Sequence, residues 1–308
     1  MQAAHAAHRD ESISADIDDR SREAPVRSKP ASGNVVAWRT RAHDSRPRFD
    51  FSGSRFADWN RDGPVASHFF NALSLFFPAG EKFFIHSVKC FSGKVTDPVV
   101  AAAVTTFVAQ EASHSNEHRR YLAAMAQQGY EIDRLDVRMF ACPLGSVKPE
   151  WRLAMTVAME HFTASLSRSL LLAGTVGGQP DLTTLWHWHA CEELEHQSVA
   201  FEVYRHGVGT GSRTYWLRIA GALRVSLNFL LRLTANFSAL IAHDLPLPKS
   251  ICYLKAMCYL WATPGVLRVL IPDFVRYVRP SFHPDERRES DRLLIAALRA
   301  RLEIADAG

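Results

Sequence analysis

Two stretches of this sequence set a glutamate three residues before a histidine: Glu111 with His114, and Glu193 with His196. On a helix that spacing brings both side chains to one point beside the axis. A carboxylate and an imidazole converging there form a donor pair for a divalent metal. Neither pair is specific alone, and the weight comes from what surrounds it. Val100, Val104, Phe107, Glu111, His114, His118, Tyr121 and Met125 recur at steps of three and four, so they share a face. Leu182, Trp186, His189, Glu193, His196, Ala200 and Val203 do the same. Both faces are apolar at their ends and charged in the middle. An isolated charge on such a face is costly to bury, and a metal ion resolves the conflict.

Two further glutamates sit in apolar helical surroundings. Glu81 follows Pro78 in a phenylalanine-rich stretch, and Glu160 lies in Ala158-Met159-Glu160-His161-Phe162. The order along the chain is Glu, Glu-x-x-His, Glu, Glu-x-x-His. Helical bundles that hold two carboxylate-bridged metals use this donor set, one contribution per helix. The competing reading is a network of satisfied polar groups on amphipathic helices. His189 lies four residues before Glu193 on the same face, which makes it a seventh candidate ligand. His118, one heptad after Glu111, either supports the ligands, lines a pocket or is a satisfied core histidine. His161, Glu192, Glu195 and Glu117 point away from these faces, toward solvent or a supporting position. Among them, His161 and Glu195 join His118 as candidates to brace a ligand from behind. His86 and Tyr121 are near in register, and His283 reads as structural.

The elements that must carry these residues are helices with clear punctuation. Periodicity gives helices over 65–76 and from Pro78 to about 92. Asp97-Pro98 starts a long one ending before Gly129. Pro149 opens a helix that runs to Gly174, and Pro180 one that runs to Gly207. The 174–180 link is short enough for antiparallel neighbours, and the 129–148 link long enough to cross a bundle. Apolar helical segments follow at about 213–243 and 250–278, with a last helix at 286–305. No strand run stands out, so the class is all-α: a ferritin-like four-helix bundle with additional C-terminal helices. The expected organisation is a disordered tail over 1–50, a metal-binding bundle over 51–212, and a helical extension packed on it over 213–308.

With 308 residues, 47% apolar and 22% charged, the chain is an ordinary globular protein. The net charge of +4 is small, and much of the arginine excess sits near the two ends, so nucleic-acid binding is not indicated. Cys90, Cys142, Cys191, Cys252 and Cys258 contain no C-x-x-C pair and read as reduced, buried thiols, consistent with a cytoplasmic location. The N-terminus shows no apolar segment of secretory type. Residues 216–243 and 251–272 are strongly apolar. Arg218, Arg224 and Arg232 interrupt the first, and Lys255, Pro264 and Arg268 the second. Buried or interfacial helices are therefore expected, with peripheral membrane contact rather than an integral span.

The segments FFPAGEKFF, QEASHSNEH and EELEH resemble those of a bacterial family usually labelled predicted metal-dependent hydrolase, over roughly residues 55–285. The donor pattern is also similar to that of the para-aminobenzoate N-oxygenases. That resemblance implies a ferritin-like di-iron site with four Glu, two His and one more His four residues before the final Glu. The matching positions here are Glu81, Glu111, His114, Glu160, His189, Glu193 and His196. The match covers the metal shell only, and no arylamine pocket is implied. Carboxylates with imidazoles suit two iron ions, with manganese or a mixed pair as variants. The leading expectation is an O2-activating oxidase or oxygenase acting on an apolar small molecule, with an electron donor and a homodimer as further partners. Glu111 and Glu193 would bridge the metals, with Glu81 and Glu160 terminal. The alternatives are a two-metal hydrolase and a non-enzymatic iron-binding protein.

Overall fold

Proline and glycine set the helix ends. Pro64, Pro98, Pro149 and Pro180 occupy the first positions of α1 (Pro64–Ser74), α3 (Pro98–Gln127), α4 (Pro149–Ala173) and α5 (Pro180–His196). Proline costs nothing there, because its missing N–H has no intrahelical partner in the first turn. Asp97 caps α3 by accepting from the backbone N–H of Val99 at 2.8 Å. Gly174, left-handed at φ 62°, ends α4 and returns its N–H to the Leu170 and Leu171 carbonyls. The remaining helices are α2 (Phe77–Ser92), α6 (Val199–Gly207), α7 (Ser212–Asp244), α8 (Lys249–Trp261), α9 (Ile271–Tyr277) and α10 (Arg288–Asp306).

This computed structural model describes residues 48–135 and 147–306, all within one compact unit spanning Ala37–Gly308. Most of the expected tail, most of the crossing link and Cys142 lie outside the described residues. Among those described, the fold is all-α. The one β-type contact is an isolated bridge between Asn60 and Gly178, which ties the segment before α1 to the α4–α5 turn.

Helices α2, α3, α5 and α4 close a ring, each packing on the next, with α6 against α2, α3 and α4. Helix α7 lies along α4, where Gly221 lets the backbones approach. A Cβ there would sit 3.0 Å from the Ala154 side chain. Helix α8 packs on α7, α9 on α4, and α10 reaches α5. One apolar cluster runs from Phe56 and Trp59 through Phe107 and Leu153 to Phe237 and Tyr277, and a smaller one joins Ile295 of α10 to Ala164, Cys191 and Leu194.

Three expectations need correction. The helix expected over 180–207 breaks after His196, where Gln197 turns its side chain to Asp291 Oδ2 at 2.7 Å, and restarts at Val199. The helix expected over 250–278 breaks at Pro264 and Gly265. The N–H groups of Gly265 and Leu267 fold back there onto the Tyr259 and Leu260 carbonyls, and Gly265 takes φ 75°. Cys191 and Cys252 are buried thiols, but Cys90 and Cys258 are exposed.

Helix α7 is, among the described residues, the one helix long and apolar enough to cross a membrane by length and composition. Its inner face is instead occupied by protein. Arg218 is buried and donates to the carbonyls of Tyr277 (2.5 Å) and Arg279 (3.1 Å).

Candidate metal centre

Each helix of the ring presents its donors inward. Glu81 comes from α2, Glu111 and His114 from α3, Glu160 from α4, and His189, Glu193 and His196 from α5. All seven are buried. They fall into two groups, Glu81–His114–His189–Glu193 and Glu111–Glu160–His196, each with one donor atom per residue within 4.8 Å of the others. Glu193 stands between the groups. Its Oε1 lies 2.9 Å from His189 Nε2, and 3.8 Å from both His114 Nδ1 and His196 Nε2. Glu111 Oε1 likewise lies 3.0 Å from His196 Nε2 and 3.9 Å from His114 Nδ1. These are the two carboxylates expected to bridge.

Polar atoms buried this deeply almost always find a partner. Here both carboxylate oxygens of Glu81, Glu111 and Glu160 have no hydrogen-bond partner, nor do His114 Nδ1 and His196 Nε2. Eight unsatisfied donor atoms facing one another in an apolar interior are costly unless something positive sits among them. A satisfied polar core network does not look like this. The residues present fit a pair of divalent ions.

The outward nitrogen of every imidazole is held. His114 Nε2 meets Glu192 Oε2 at 2.9 Å, and Glu192 Oε1 also accepts from the Trp188 indole at 3.0 Å. His189 Nδ1 meets His118 Nε2 at 2.7 Å, and His118 Nδ1 meets the Ser74 hydroxyl at 2.8 Å. His196 Nδ1 meets Gln110 Oε1 at 3.2 Å. Such partners fix which nitrogen faces the centre and aim the ring. Phe77 packs on His118 and His189 with ring centroids 4.4 Å away in both cases. Thr163 donates to Glu193 Oε2 at 2.6 Å.

The electrostatics of the metal-free cluster show the same strain. Burial, and then the neighbouring Glu111, push Glu81 well above the usual carboxylate range. Burial and the same neighbour do so for Glu160. Burial would raise Glu193 too, but the hydrogen bond from His189 and the nearby His196 imidazole outweigh it and hold Glu193 well below that range. Burial alone would lower His196, yet the Glu111 and Glu193 carboxylates facing it lift it well above the ordinary imidazole value. Burial thus favours the protonated form of two carboxylates, and the carboxylates around His196 favour its charged form.

Of the residues expected to brace the ligands, His118 stands directly behind His189. His161 does not reach the site: its Nε2 meets the Asp273 carbonyl at 3.1 Å and its ring stacks on Tyr277. The turn of α4 that aims Glu160 inward carries the next residue outward. Glu195 points to the surface and pairs with Arg299 at 2.6 Å. Glu117 is buried but paired with Arg120 at 2.6 Å. His283 is structural, capping the turn before α10 and meeting Glu202 at 2.7 Å.

Three contributors, Thr163, Gln110 and Ser74, are not among the residues the sequence singles out, and Glu192 takes the supporting one of its two expected positions. Glu192 lies one residue off the Glu193 face. That step carries it round α5 toward His114, and Trp188 four residues earlier was the available clue. Thr163, three after Glu160, shares its face and was detectable by the same spacing. Gln110 and Ser74 carried no signal.

The model of a protein family described as predicted metal-dependent hydrolase matches residues 43–288. The chain belongs to that family. No curated protein matches the chain, and no solved structure does.

Proposed function

We propose that this member of the predicted metal-dependent hydrolase family is a dinuclear metalloenzyme of ferritin-like architecture whose two ions, iron in the leading assignment, activate O2 to oxidise an apolar small molecule. The observation that carries the reading is the set of eight buried donor atoms on Glu81, Glu111, Glu160, His114 and His196 that face one another without a hydrogen bond. Glu81, His114, His189 and Glu193 would hold one ion, and Glu111, Glu160 and His196 the other, with Glu193 and Glu111 shared. Two Fe(II) ions there would supply electrons to O2, with an external reductant restoring them. The chain's own part is to aim the imidazoles through Glu192, His118 and Gln110, and to keep the centre dry behind Phe77 and Phe107. The Thr163 hydroxyl fixes one carboxylate oxygen of Glu193. No thiolate is among the donors, which argues against a structural zinc site of the cysteine type.

A second reading follows the family description, a hydrolase in which the same ions activate water. One experiment separates the two. The protein loaded with Fe(II) without air and mixed with O2 should give a transient optical absorption and consume O2. Metal-dependent cleavage of activated esters or amides that is equally fast without O2, together with no O2 consumption, selects the hydrolase.

A further inference from the structure

Beside the metal cluster lies a cavity of about 220 Å³ between α2, α4, α7 and α9. Its wall is almost wholly aromatic and aliphatic; the polar side chains in it are Thr163 and Ser226. A cavity of roughly 150 Å³ with such a lining stays dry and takes up an apolar molecule. This one is larger, and the backbones that build it are those that build the centre. Gly80 precedes Glu81, and Met159 precedes Glu160. Phe77 covers His189, and Thr163 hydrogen-bonds Glu193. The inner end of the cavity is therefore the outer wall of the cluster.

The other end opens at α9. Ile271 lines the cavity and is 51% exposed. Exposed apolar residues continue beside it in sequence: Leu227 and Leu231 next to the lining residues Ser226 and Leu230, and Val275 next to Phe274. A molecule longer than the cavity would leave it over apolar surface rather than into water. A compact ring would use only the interior, whereas a chain would use both. The Ser226 hydroxyl is buried without a hydrogen-bond partner and faces this space, ready for one polar atom along the chain.

We infer that the cavity seats the tail of a single-chain amphiphile, an alkyl or acyl compound, whose small polar head lies at Thr163 against the metal cluster. The inference rests on the cluster being the reaction centre, and it explains what α7 to α9 are for.

The test uses the full chain loaded with Mn(II) and a series of straight-chain alkanoates from six to twelve carbons. Their binding is read by displacement of the dye 1-anilinonaphthalene-8-sulfonate. Affinity should rise about fourfold per added methylene while the cavity fills, and less steeply once the chain emerges over the half-exposed apolar surface. Ser226→Trp and Leu166→Trp, which fill the cavity from α7 and α4, should each weaken dodecanoate binding tenfold or more. Their manganese content and melting temperature should stay near those of the parent. Affinity independent of chain length in the parent protein overturns the inference, and that measurement needs no variant. Unchanged dodecanoate binding in both filled variants overturns it too, as does tighter binding of a planar aromatic acid of equal carbon number. The manganese content of the same samples reports on the metal reading separately. Chain-length dependence in protein that holds no metal would keep the tail pocket and sink the metal centre.

Discussion

The inward face of the cluster needs aimed imidazoles, and the aim comes from residues that touch no metal. Glu192 accepts from His114 and is itself held by Trp188, so it sets which His114 nitrogen faces Glu81 and Glu193. Removing such a partner typically costs 10- to 100-fold in metal affinity. Glu192→Ala is expected to lose metal affinity in that range, measured by competition with a chelator, whereas Glu195→Ala, which pairs only with Arg299, should lose none. His161 makes a separate prediction. Burial lowers its imidazole to about 4, against about 6.5 in an unfolded chain. The folded state therefore binds fewer protons than the unfolded one between those values, so stability falls as pH drops from about 6.5 to about 4. Full burial makes the effect several kcal/mol at most, and the bond from His161 Nε2 to the Asp273 carbonyl, which favours the charged imidazole, reduces it. His161→Phe should be slightly less stable at pH 7 yet show a shallower loss on acidification, read as the difference between the two proteins' denaturant midpoints. The seven inward donors were legible because helix period alone puts them on apolar faces. The bracing role of Glu192 was not, since it depends on how α3 and α5 are rotated against each other.

Each ring helix contributes one rigid piece of the centre, and the breaks between elements matter as much as the helices. Helix α5 ends immediately after its last donor. The turn there is pinned by Asp291 of α10, which accepts from Gln197 and twice from the buried Arg168 of α4, at 2.6 Å each. This triad ties α10 to both α4 and α5. Asp291→Ala leaves the Arg168 guanidinium buried without its main partner, a loss worth about 3–5 kcal/mol. A drop of that size in chemical denaturation is expected, and the double change Arg168→Met with Asp291→Leu should recover much of it. A single-variant loss below about 1 kcal/mol would mean the pair is solvated and the tie is not structural. The sequence showed proline and glycine at most helix ends. It did not show this break, because Gln197 and Ser198 are acceptable helix residues and the turn is imposed by a side chain about 90 positions away. The α8–α9 break was marked by Pro264 and Gly265, and the apolar run around them masked it.

At the scale of the molecule, one apolar core joins the helices that carry the donors to those that follow them, and α7 lies along α4, the helix that holds Glu160. The length and apolarity of α7 were plain in the sequence, but its partner was not, because a helix period says which face is apolar and not what covers it. This architecture encloses four carboxylates at one point, and burial pushes Glu81 and Glu160 toward the protonated form. With two divalent ions, the same residues join four helices. A ligand that binds only the folded state stabilises it by an amount that grows with its concentration over its dissociation constant, about 2.7 kcal/mol at a hundredfold excess. The most direct measurement is elemental analysis of the full chain after anaerobic loading with Fe(II) or Mn(II) and removal of free metal, with thermal melting of the same samples. Two ions per chain and a higher melting temperature are expected, both lost in Glu111→Ala and Glu193→Ala and both kept in the surface variant Glu289→Ala. Protein that retains no metal and melts at the same temperature with and without it would show that the cluster is a polar core and not a metal centre.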